Sequence, residues 1–151
     1  MNSLPPLMRD QRKVDAEHLK LLAVFHFVLA GLAVLGLGFL VLHWLFMSSF
    51  FDNPAMWENA KPPQPAPPKE FFAIFKWFYA FMGVIIVGGG VASLVSGFCI
   101  LRRQARIFSI VVGGLTCLMF PLGTALGVFT MVVLLRESVA EEYAARRAPA
   151  S

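Results

Sequence analysis

Charge is what this chain of 151 residues has least of. Asp, Glu, Lys and Arg together make up 15% of it, where an ordinary soluble domain carries about 25%. The shortage is concentrated. Leu21–Met47, Phe71–Leu101 and Ile107–Leu135 contain one such side chain among them, Lys76, and each tract exceeds the ~18 apolar residues that mark a membrane span. With 58% hydrophobic residues and a mean hydropathy of +0.69, a soluble globular fold is excluded. The composition predicts an all-α integral membrane protein with one membrane domain and little outside it.

The other absences narrow the chemistry. Ion- and proton-coupled transporters place Asp, Glu or Lys within their spans, and the inner parts of these tracts have none. Lys76, one or two turns into its tract, reads as an anchor whose ammonium snorkels to the interface beside Trp77 and Tyr79. Ser93, Ser96, Ser109, Thr116 and Thr124 have no acid–base partner beyond His26, so no nucleophilic set assembles and no enzyme is expected. Cys99 and Cys117 lie inside apolar tracts without a CxxC or Cys/His spacing, which reads as packing and not as a metal site. His26 is the one ionisable group well inside the first tract. A bis-histidine haem would need a second histidine at matching depth, but His43 lies about 25 Å further along the same helix and the later tracts have none. His26 therefore reads as a neutral imidazole bonded to a carbonyl or hydroxyl, and no cofactor is expected.

What the chain does have sets its topology. Arg9, Arg12, Lys13 and Lys20 precede the first tract, which at 27 residues is too long for a cleavable signal. Arg102, Arg103 and Arg106 follow the second tract, Arg136 the third, and Arg146 and Arg147 lie in the tail. The third tract runs 29 residues, broken by Pro121 and Gly123. It is either one kinked span or a hairpin of two short helices. Only the hairpin puts every arginine on one side, as the positive-inside rule asks. The expected architecture is a cytoplasmic segment 1–18, then helices at about 19–47, 71–101, 107–120 and 123–136 within a membrane domain 19–136. A cytoplasmic tail 137–151 continues the last helix, and both termini are inside. The loop 48–70 contains KPPQPAPPK, five prolines in nine residues, expected as an extended polyproline II spacer.

Small residues recur at helical spacing in two registers of the second helix: Gly88, Ala92, Ser96 and Gly89, Ser93, Gly97. Such faces let backbones approach closely in lipid. Gly123 and Gly127 offer the same beyond Pro121, where the helix break is expected to turn the chain. The net charge of +4 sits at the membrane edges, which points to lipid head groups and not to nucleic acid.

The segment FPLGTALGVFTMVVLL, preceded by GFCILRRQARIFSIVVGGL, resembles a type found among small multi-span bacterial inner-membrane proteins. In that type a basic link leads into two short apolar arms around an F-P-x-G-T-x-x-G turn, and HLKLLAVFHFVLAGL is similar to its first helix. The resemblance implies four membrane helices in a bacterial cytoplasmic membrane. It implies no activity and no functional residue. A non-catalytic accessory, scaffold or assembly subunit is then the expected role, packing on other subunits or on itself. A homo-oligomeric channel or transporter-like pore, gated at Pro121, is the alternative.

Overall fold

The computed structural model describes residues 6–51, 53–59, 65 and 68–145, with side chains from residue 11 onward except those of Met56 and Lys69. Among the described residues the chain is all-helical: α1 (Pro6–Phe51), α2 (Pro54–Glu58), α3 (Lys69–Leu101), α4 (Arg106–Thr116), α5 (Leu122–Leu134) and α6 (Glu137–Ala145). α1 and α3 each contain a stretch long and apolar enough to cross a membrane. The expected spacer lies mostly outside the described residues.

α1 outruns the expected 19–47 at both ends. At one end the chain is already helical at Pro6, the first residue described. At the other end the Ser48 and Ser49 hydroxyls donate back to the Leu45 carbonyl at 3.0 and 2.8 Å, so the helix absorbs its own polar residues and continues to Phe51. Pro54 then opens α2, capped by the Asn53 side chain, which accepts from the Ala55 N–H at 3.2 Å. Trp57 returns to α1, stacking on Phe51 and donating to its carbonyl at 3.3 Å.

Contacts divide the chain into two units, Met1–Ala30 with Val91–Ser151, and Gly31–Gly90. In the first, Leu19, Leu22 and Ala23 of α1 share a core with Ile100 of α3, Leu126, Val133 and Leu134 of α5, and Val139 and Tyr143 of α6. Gly97 admits the Phe27 ring, which also meets Phe98 edge-on at 5.0 Å.

α4 and α5 form a hairpin. A Cβ at Gly113 would come within 2.8 Å of the Thr130 side chain, and one at Gly127 would strike the Gly113 carbonyl and Cys117. The open ends meet where Arg106 Nε donates to the Leu134 carbonyl at 2.7 Å. The first arm stops at Thr116, short of the expected residue 120, because the turn itself takes Cys117–Pro121 and includes a cis Phe120–Pro121 bond. At 11 and 13 residues, the arms rise about 16 and 20 Å, less than the ~30 Å hydrocarbon core.

The tail does not continue the last helix. α6 leaves α5 at 68°. Val139 and Tyr143, one turn apart, are buried on its inner face, while Glu137 and Glu141 are exposed. A straight extension would have left those two apolar side chains uncovered.

Candidate functional site

The polar chemistry of the first unit gathers where α1 meets the bend between α5 and α6. Asp15 is 1% exposed, on the stripe Asp15, Leu19, Leu22, His26, Ala30 that forms the buried face of α1. Its carboxylate is held by two groups: Arg136 Nη1 donates to Oδ1 at 2.9 Å and the Ser138 hydroxyl to Oδ2 at 2.5 Å. Arg136 also reaches His18 Nδ1 at 3.4 Å, and the His18 ring meets Phe129 edge-on. A buried carboxylate is tolerated only when its charge and lone pairs are met, and here both oxygens are.

A second pair closes the same unit. Arg103, 8% exposed, donates through Nε to Glu142 Oε1 at 2.9 Å and through Nη1 to the Ile100 carbonyl at 3.4 Å. Its backbone is left-handed, φ 56°, as is that of Ala105 at 47°. These two residues turn the chain from α3 into α4 without a glycine. Tyr143 lies beside this pair, and burial pushes its hydroxyl up to about 12, against a smaller opposing pull from Arg103. That hydroxyl has no partner among the described residues.

Of the expected topology arginines, Arg102 is exposed, whereas Arg103, Arg106 and Arg136 are bound into this unit. Their sequence positions suggested a part in orientation and head-group contacts, not in packing. His18, Ser138 and Tyr143 were not singled out from sequence; Asp15 was read as complementing the dipole of the first helix, and Glu142 as pairing with Arg146, which lies outside the described residues. The signal for Asp15 was present, since it continues the spacing of the buried α1 face.

His26 is fully buried and its Nδ1 donates to the Leu22 carbonyl at 3.0 Å. That leaves Nε2 without a partner among the described residues, as are the buried hydroxyls of Ser96 and Ser109. Ser93 is buried, Ala92 half-buried, and Gly97 packs on Phe27. Gly88 and Gly89 have open space where a Cβ would stand. Gly90 is the member of that triplet that meets α1, at Ala33. Gly123 is closed by Met119 and the Thr116 carbonyl. Around Pro121 two bonds close the turn: Thr124 Oγ1 donates to the Cys117 carbonyl at 2.7 Å and the Met119 N–H to that of Thr116 at 3.0 Å.

In the second unit, α1 and α3 hold an aromatic cluster. His43 stacks on Tyr79, whose hydroxyl bonds His43 Nδ1, and Trp44 meets Tyr79 edge-on at 5.1 Å. Phe51 meets Phe72 at 5.0 Å. Between them lies an open cavity of about 510 Å³, with Lys76 on its wall. Comparison with protein-family models, with curated proteins and with solved structures finds no match.

Proposed function

We propose that the chain is a non-catalytic, multi-pass membrane protein serving as an accessory, scaffold or assembly subunit of a membrane complex. Following the resemblance of its FPLGTALG segment, we place it in a bacterial cytoplasmic membrane with both termini inside. The observation that supports this best is how little of its apolar surface the chain covers itself. Only 6% of the most apolar window of α1 is buried, and 22% of that of α3. The uncovered surface includes glycines with open space around them: Gly31, Gly36 and Gly38 on α1, and Gly88 and Gly89 on α3. In lipid, such positions favour close approach by another helix.

At the Pro121 turn the carbonyls of Thr116 and Cys117 are bonded within the hairpin, which suits a packing turn.

Native mass spectrometry of the tagged chain, released gently with its lipid, tests the proposal. Defined foreign subunits are expected, and their loss from a Gly88→Leu/Gly89→Leu variant that keeps its helical dichroism. A symmetric self-assembly that makes liposomes leaky would overturn it in favour of the pore.

A further inference from the structure

The cavity of the second unit is one end of a longer groove. A shallower hollow of about 300 Å³ shares Trp44, Lys76 and Tyr79 with it and continues past Leu37, Leu40 and Gly83. One end is therefore aromatic, with His43, Phe51 and Phe72, and the other aliphatic, with the cation between them. From Leu37 to Phe51 the helical rise is about 21 Å. That length takes in one leaflet's share of the hydrocarbon core, about 15 Å, and the head-group layer beyond it.

We propose that this groove holds one anionic phospholipid, its phosphodiester against Lys76 and an acyl chain along the aliphatic end. Charge selects the occupant. The two ion pairs among the described residues join Arg103 to Glu142 and Arg136 to Asp15, so Lys76 has no carboxylate there. An ammonium against apolar walls attracts an anion more strongly than it would in water. The bonded His43–Tyr79 pair brings further polar atoms to the same wall. Aromatic walls alone would also suit a quaternary ammonium, but Lys76 on the same wall repels one. Gly83 keeps the aliphatic end open. A Cβ there would reach Leu40 at 3.7 Å, and a longer side chain would fill the hollow.

The test is native mass spectrometry of the full chain offered equal amounts of phosphatidylglycerol and phosphatidylcholine. The unmodified chain is expected to retain one phosphatidylglycerol, with a preference of about fivefold, the contribution of one lysine near an anionic surface. Lys76→Gln should abolish the preference and Lys76→Arg keep it. Gly83→Leu should lower retention of both lipids. Lys20→Gln makes the same charge change outside the groove and should leave the preference intact. Three results would overturn the proposal: equal retention of the two lipids by the unmodified chain, an equal effect of Lys20→Gln, or competition by glycerol phosphate as effective as that of the lipid.

Discussion

Asp15 and Arg136 lie 121 positions apart in sequence, and their unequal exposure decides what each substitution does. Asp15 is sealed, whereas about a third of the Arg136 side chain is exposed. Arg136→Ala strands a buried carboxylate and should cost about 3 kcal/mol. Asp15→Asn leaves an arginine that water can reach, and should cost roughly 1 kcal/mol. The double variant should be more stable than Arg136→Ala alone. Thermal unfolding in detergent orders the three, and an equal loss from both single variants would contradict this account. Tyr143 makes a pH prediction. Its hydroxyl titrates near 12 in the folded chain, above the ordinary value of 10.0. The folded state thus holds the proton longer than the unfolded state does. The stability this contributes is fully present below pH 10 and is lost as pH rises towards 12, an effect on the order of 2 kcal/mol. Tyr143→Phe removes a hydroxyl that has no partner, so it should be neutral or slightly stabilising at pH 7 and should flatten the alkaline loss.

At the scale of elements, the hairpin was legible because a proline and glycine inside a charge-free tract were read together with the arginines around it. The bend after α5 was not. The apolar run and the tail pattern both allow one continuous helix, and only the burial of Val139 and Tyr143 against α1 and α3 residues requires the 68° turn. Glycine spacing was an equally partial guide. A helical register shows which glycines share a face, but which of them touches a neighbour depends on the rotation of the helix, which tertiary packing sets. Gly90 packs on Ala33 while Gly88 and Gly89 stay open. The contrast within the hairpin is measurable. Gly127→Ala forces a methyl group against backbone atoms of Gly113 and Cys117 and should cost about 2–3 kcal/mol, whereas Gly114→Ala meets nothing within 4 Å and should cost little. Equal melting temperatures for the two variants would mean that the arms can part at no penalty.

For the whole molecule, the two helices long and apolar enough to cross a membrane were readable from composition, since 58% hydrophobic residues with 15% charged ones is far from the balance of an ordinary soluble domain. The polar clasp was harder to read, because pairing one of several arginines with one of several acids takes a fold that brings residues 15 and 136 together. The sidedness we propose is tested by single cysteines in a Cys99→Ala/Cys117→Ala background. Glu58→Cys and Glu141→Cys replace exposed side chains on either side of the hairpin. An impermeant maleimide added to intact cells should label the first and spare the second. Labelling of both would mean that residues 107–135 cross the membrane once. The clasp also bears on how the protein is made. Asp15 leaves the ribosome early, and its partners Arg136 and Ser138 follow 121 and 123 positions later. The first helix therefore waits with its carboxylate unpaired while α2 to α5 are synthesised. A product truncated before residue 136 would carry an unpaired acid on the face that should be buried, a mark that sets it apart from chains long enough to close the clasp.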